Sequence, residues 1–251
     1  LAVHYRFVFP RAPTRLASWH WAAAAREGGL SCWFLPMLQD QRPDFIQGFY
    51  QPKESAMEVE QATAQLQMQT RRMHSIFERE AALLGGDHQR IVLGGTAQGG
   101  SLAAHAAVSY RAELGALICC RTVAIERFVK LHPRHQKRSV GGAGEAMPIF
   151  IFAGGMDQVH PLTATRETFG KLATDGGYKI EWHVEPQLGH SAESLNEQRY
   201  IAYWAARASL GKAKAFDPAA VDALRRLLVT KQREVRSPPP LRPRTAAGGP
   251  W

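Results

Sequence analysis

The sequence predicts an α/β fold, a mainly parallel sheet with helices on both faces, and three observations carry that expectation. Strand-type and helix-type runs alternate along most of the chain. Pro148-Ile149-Phe150-Ile151-Phe152-Ala153 is apolar without interruption, and Gly94-Gly95-Thr96-Ala97-Gln98-Gly99-Gly100 joins an apolar run to a stretch of small residues. Alternation points to crossover units, continuous apolarity to a strand buried on both faces, and the glycines to a tight strand-to-helix turn. With 251 residues, 45% of them hydrophobic, the chain is long enough for one large domain with a well-buried core. Residues 1–210 are read as that domain and 211–251 as a basic, Pro-rich C-terminal extension.

Taken in order, Tyr5-Arg6-Phe7-Val8-Phe9 has strand character and ends at Pro10-Arg11-Ala12-Pro13, where two prolines favour an extended exit. Residues 16–25 are Trp- and Ala-rich and suggest a short helix. Trp33-Phe34-Leu35-Pro36 and residues 45–50 read as irregular apolar cover over one end of the sheet. Ser55-Ala56-Met57-Glu58 has capping-box form, and a long helix should follow with Ala62, Leu66, Met73, Phe77 and Leu84 near one face. Gly85-Gly86-Asp87 should end it. Arg90-Ile91-Val92-Leu93 reads as a strand, residues 101–108 as a buried helix and residues 114–120 as a further strand. Between 121 and 146 the pattern gives way to a basic, Gly-rich surface loop. After the 148–153 strand, residues 163–174 read as helix, 178–184 as an alternating strand, Gly189-His190-Ser191 as a loop and 194–209 as a closing helix. Residues 218–232 suggest one more short helix, and Arg236-Ser237-Pro238-Pro239-Pro240-Leu241-Arg242-Pro243-Arg244 an extended arm.

No stretch approaches the roughly 18 apolar residues of a membrane-spanning helix. Cys32, Cys119 and Cys120 are odd in number and lack C-x-x-C spacing, so neither a disulfide framework nor a thiolate metal site is suggested and a reducing compartment is expected. The net charge of +9 is concentrated in the tail, where nine Lys or Arg from Gly211 onward face three acids. Such a tail is compatible with an acidic protein, RNA or a membrane surface. The chain opens at Leu1 with neither Met nor a signal-like segment, which suggests a processed or incompletely represented N-terminus. The expected setting is intracellular, cytoplasm or an organelle such as the mitochondrion.

The chemistry-bearing pattern starts at Gly95-Thr96-Ala97-Gln98-Gly99. In a nucleophile elbow, G-x-S-x-G, the outer glycines leave room for a strained turn that lifts the middle side chain above the sheet. Here that residue is Ala97. Further on come Asp157 and His190, each just beyond a predicted strand, in the order nucleophile, acid, histidine of α/β serine hydrolases. In such a set the acid orients the imidazole and the imidazole takes a proton from a hydroxyl.

These residues resemble the acyl-protein thioesterase, phospholipase and carboxylesterase group of α/β-hydrolases. The resemblance rests on residues 90–100, where that group usually shows G-G-F-S-Q-G-G. Pro10-x-Ala12-Pro13, Trp33-Phe34, Gly154-Gly155-Met156-Asp157-x-x-His160-Pro161 and Gly189-His190-Ser191 support it, over about residues 5–207. It implies an α/β-hydrolase fold, Asp157 as triad acid, His190 as triad base and the Gln98 backbone N–H as an oxyanion donor, with no cofactor and no metal. Thr96, aimed away from the cleft by the elbow, would not replace the serine. The resemblance also implies an H-G-x-G-like oxyanion segment upstream of Pro10, which this chain begins too late to contain or has lost, and an Asp after Trp-Phe, where Leu35 stands.

Simpler readings stand beside these. Two glycines around a strand-to-helix turn also serve packing, and the turn lacks the Lys-Ser/Thr of a P-loop. Asp157 alone would be a turn residue and His190 a loop histidine. His132 and His135 sit among Arg134, Lys137 and Arg138, which repel a cation, so a solvated basic loop is expected. Cys119 and Cys120 read as buried strand residues. The Pro-Arg tail reads as an SH3-type ligand, a disordered end, or an arm ordering on a partner with Trp251 as anchor. The resulting expectation is a catalytically inactive hydrolase-like protein serving as a structural or interaction subunit of a larger protein or ribonucleoprotein assembly. The alternatives are an active ester or thioester hydrolase captured as a Ser-to-Ala variant, and a module that binds acyl or lipid ligands without cleaving them.

Overall fold

The computed structural model describes residues 6–15, 30–34, 56–125 and 146–210, with positions 226 and 230 in addition. The expectations for residues 16–25, 45–50 and 126–145 lie outside them, as do Ser55 of the capping box, Leu35 and, apart from the helical positions 226 and 230, residues 218–251.

Two short strands, β1 (Thr14–Arg15) and β2 (Leu30–Ser31), pair antiparallel. Helix α1 (Ala56–Leu83) follows, buries Ala62, Leu66, Met73 and Phe77 along one side, and ends where Gly85 and Gly86 adopt positive φ of 73° and 87°. Leu84, expected on that face, lies just past the helix end and is only half-buried. Strand β3 (Val92–Thr96), helix α2 (Gln98–Ser109), β4 (Ala116–Cys120), β5 (Ile149–Gly154), α3 (Leu162–Gly176), β6 (Ile180–Glu185) and α4 (Leu195–Leu210) complete the described elements.

β3, β4, β5 and β6 form one parallel sheet in sequence order. Because side chains alternate across a strand, each apolar strand feeds two cores. Leu117, Cys119, Ile149 and Ile151 pack with residues of α1, α2 and α3, including Phe77, Ala104 and Phe169. Ala116, Ile118, Cys120, Phe150 and Phe152 pack with Trp204 of α4 on the other face. This is an α/β-hydrolase-type arrangement: crossover helices α2 and α3 on one side, the closing helix on the other. Parallel strands bring all their C-terminal ends to one edge, where ligands of such sheets gather.

Two local expectations are corrected. Residues 6–9 are in no strand; Phe7 and Phe9 instead stack with ring centroids 6.2 Å apart, and Phe7 packs against α4 around Ala202. β6 does not alternate between buried and exposed, since all six residues are half-buried. It is covered on both sides: Trp182 meets Phe169 of α3 edge-on, while His183 stacks on Tyr200 of α4.

Candidate functional site

Ala97 lies between the last residue of β3 and the first of α2, with φ 50° and ψ −128°, outside the regions open to most L-residues. The turn is held from every side. Its N–H donates to Cys120 O (3.0 Å), and its carbonyl accepts from Gly100 N (2.9 Å), Ser101 N (3.2 Å) and Thr122 Oγ1 (2.6 Å). A Cβ on Gly95 would come within 2.3 Å of Gly99 O, and one on Gly100 within 2.6 Å of Thr122 Cγ2. The close approach therefore runs from Gly95 and Gly100. At Gly99, the last glycine of the five-residue frame, a Cβ would meet, among the described residues, Trp33 Nε1 at 3.4 Å. Thr96 is exposed at the end of β3.

Gln98 opens α2, and its amide reaches back to the covering segment. Oε1 accepts from Trp33 N and Nε2 donates to Phe34 O, both at 2.8 Å. This side-chain tie was not foreseen from the sequence, which pointed only to the Gln98 backbone N–H.

Asp157 and His190 meet beyond the ends of β5 and β6. His190 Nδ1 lies 2.9 Å from Asp157 Oδ2 and 3.1 Å from Oδ1, with the carboxylate wholly buried and the imidazole 22% exposed. Asp157 Oδ1 also accepts from the backbone N–H groups of Val159 (2.9 Å) and His160 (2.8 Å). Burial pushes this carboxyl up, but the hydrogen bonds from His190 and the His160 N–H outweigh it and hold the group below its usual range. An ionised acid on Nδ1 leaves Nε2 of a neutral imidazole as the free basic nitrogen.

Around this pair are residues that sequence reading did not single out as functional. His160 is buried and packs edge-on to His190, ring centroids 5.0 Å apart; burial and the nearby His190 push it down to about 4. Arg121 and Thr122 follow β4, between the strands leading to Ala97 and Asp157. Thr122 grips the Ala97 carbonyl, while Arg121 donates to His190 O and to Ala192 O (2.9 Å) and pairs with Glu197 of α4 at 2.6 Å. The one sequence hint was Ser194-Leu195-Asn196-Glu197, which has capping-box form. Ser194 Oγ does accept from Glu197 N (3.0 Å), but the Glu197 carboxylate turns to Arg121.

A cavity of about 240 Å³ bordered by Gly86, His88, Gln89 and Ala112 lies at the opposite, N-terminal edge of the sheet, away from these residues. Among the described residues, no group of three or more His, Cys, Asp or Glu is arranged to hold a metal ion. No helix there is long and apolar enough to cross a membrane.

The family model described as Phospholipase/Carboxylesterase matches residues 49–201, more than half of the chain, and spans the elbow, Asp157 and His190. The chain belongs to this family. No curated protein matches it. Among solved structures, SOBER1 from Arabidopsis thaliana is similar, at 20% identity over 80% of this chain and 82% of that one, TM-score 0.54. A point variant of SOBER1 gives 21%, 80%, 83% and 0.55. Acyl-protein thioesterase 2 from Zea mays gives 17% identity, 80% of each chain and 0.48. At such identities the SOBER1 structures speak for the fold alone. Gly95-Thr96-Ala97-Gln98-Gly99 differs from a G-x-S-x-G pattern at its middle residue.

Proposed function

We propose that this protein is a phospholipase/carboxylesterase-family member that does not hydrolyse esters or thioesters as it stands, and that it serves as a structural or interaction subunit of a larger assembly. The observation that carries this reading is Ala97 at the strained turn. A methyl group cannot form an acyl intermediate, and loss of the nucleophile costs a serine hydrolase roughly a millionfold in turnover, about 8 kcal/mol of barrier. Asp157 and His190 are then triad acid and base without a nucleophile, and the Gln98 N–H an oxyanion donor without an oxyanion. The contact surface would be the basic extension, residues 211–251, and the 121–146 loop, toward an acidic protein or ribonucleoprotein. An acyl or lipid ligand would rest near the exposed Met156 and Val159 flanking Asp157.

The test is hydrolysis of a p-nitrophenyl acyl ester and an acyl thioester by the whole chain, compared with His190→Ala. Rates equal in both and near buffer support the proposal; turnover abolished by His190→Ala refutes it. A second reading, an active serine hydrolase captured as a Ser-to-Ala variant, is favoured by the intact 2.9 Å Asp157–His190 hydrogen bond. Under it, Ala97→Ser gains orders of magnitude in kcat/KM. A serine variant as inert as the parent removes that reading.

A further inference from the structure

We infer that Arg121 is a positioning residue for His190, holding the loop that carries the imidazole by its backbone carbonyls. The inference rests on the geometry around the Asp157–His190 pair and is independent of whether the protein turns over an ester.

The backbone of Arg121 is itself unusual. It has φ 46°, and its N–H donates to Phe152 O at 2.7 Å, which fixes the residue at the end of β4 beside β5. A non-glycine residue stays in that region only where its surroundings over-determine it. Its side chain is 13% exposed, and the hydrogen bonds it makes among the described residues lead to the histidine loop or to the helix that follows it. Nη1 donates to His190 O and Ala192 O; Nη2 donates to Glu197 Oε1 at 3.0 Å and Nε lies 2.6 Å from Oε2. Residues 189–193 belong to neither helix nor strand, so no ladder of their own sets the place of His190.

The guanidinium suits this task because its donors point in fixed directions in one plane, and one group can serve two carbonyls and a carboxylate together. Burying that cation requires a fixed anion. Glu197 is fixed, since its N–H bonds Ser194 Oγ, which in turn donates to Glu185 Oε2 at 2.5 Å. The end of β4, the histidine loop and the start of α4 are thus tied through the Arg121 side chain, and the Ser194 hydroxyl joins the start of α4 to the end of β6. Thr122, the next residue, bonds the Ala97 carbonyl, so a single dipeptide links the elbow to the histidine loop.

The experiment uses the whole chain labelled with 15N-histidine, with the His190 ring nitrogens assigned by comparison with His190→Gln. In the unaltered protein the ring is expected to show a single Nδ1–H tautomer, with Nδ1 facing Asp157. Arg121→Gly removes the donors and relieves the positive φ, which offsets part of the cost of leaving the buried Glu197 carboxylate without its partner. It is expected to lose that single-tautomer signature at temperatures well below its Tm. Arg121→Met, which keeps an apolar stem and no donor, gives the same comparison should the glycine variant not fold. Glu197→Gln keeps an acceptor for the fork and leaves the carbonyl contacts in place. It lowers Tm but retains the tautomer. A folded Arg121→Gly or Arg121→Met with the native tautomer overturns the inference, as do loss of the tautomer in Glu197→Gln and its absence in the unaltered protein.

Discussion

At Ala97 the chain keeps a costly backbone geometry without the hydroxyl that such turns present. Holding a non-glycine residue in a sparsely populated region costs of order 1–3 kcal/mol, whereas placing glycine in the unfolded chain costs roughly 0.4–1 kcal/mol. With φ 50° and ψ −128°, strain outweighs entropy, so Ala97→Gly should stabilise the protein by up to about 2 kcal/mol in urea denaturation. A loss of stability would mean that packing of the Ala97 methyl exceeds its strain. The two glycines that open α2 divide by what a Cβ would meet. Gly100→Ala meets Thr122 Cγ2 at 2.6 Å and Gly95 O at 2.9 Å, and should cost roughly 1–3 kcal/mol. Among the described residues Gly99→Ala meets Trp33 Nε1 at 3.4 Å, within the first turn of α2, where alanine is the better helix former by about 1 kcal/mol, and should be neutral or better. Equal losses at both positions in the same denaturation series would show that the turn relaxes as a unit.

At the scale of elements, α1 is locked to the end of α2 by one carboxylate. Glu78 accepts from Arg111 Nε (2.7 Å) and Nη2 (2.6 Å) and from the Tyr110 hydroxyl (2.6 Å). The Arg111 hydrogen bonds, then that of Tyr110, hold this carboxyl down at about 2 against an ordinary 4.5. A depressed acid adds stability that is present above its unfolded value and lost as pH falls toward the folded one. Glu78→Gln should therefore flatten the part of the stability profile between pH 4.5 and about 2. The effect is modest, because the Glu78 and Arg111 side chains are 43% and 62% exposed and water screens them. An unchanged profile would assign acid sensitivity elsewhere. This link also marks what was legible in the sequence. The buried face of α1, the glycines that end it and the apolar strands β4 and β5 could be read because periodicity and apolar runs are local. The meeting of Asp157 and His190 could be read because their places beyond two strands, in that order along the chain, match a known pattern. The Glu78–Arg111 pair, the Gln98 tie to residues 33–34 and the Arg121–Glu197 pair join positions 33, 64 or more, and 76 apart, and only the folded sheet makes them neighbours. β6 deceived for the same reason: its alternation is real in the sequence, but two helices cover both of its faces.

For the molecule as a whole, acid should act through two histidines that the fold keeps neutral. His105, within α2, is pushed down to about 4 by burial and by nearby His74. His160 is pushed to about the same value by burial and His190, with Asp157 opposing. Both are 7% exposed or less. Between the folded value near 4 and the ordinary value of 6.5, the unfolded chain binds more protons than the folded one, so stability rises with pH across that window. At the lower end each histidine costs on the order of 3 kcal/mol, a large share of the 5–15 kcal/mol that ordinary domains possess. A chain already carrying a net charge of +9 also gains self-repulsion as its carboxylates protonate. The urea midpoint should therefore fall steeply from pH 6.5 to pH 4. Separating the two contributions requires a group that cannot titrate at one site alone. His105→Gln serves, because His105 lies in α2 away from the Asp157–His190 pair, whereas a change at His160 would disturb His190 directly. In His105→Gln about half of the slope should vanish while the remainder, from His160, persists. If the slope survives whole, repulsion across the molecule rather than histidine burial governs its response to acid.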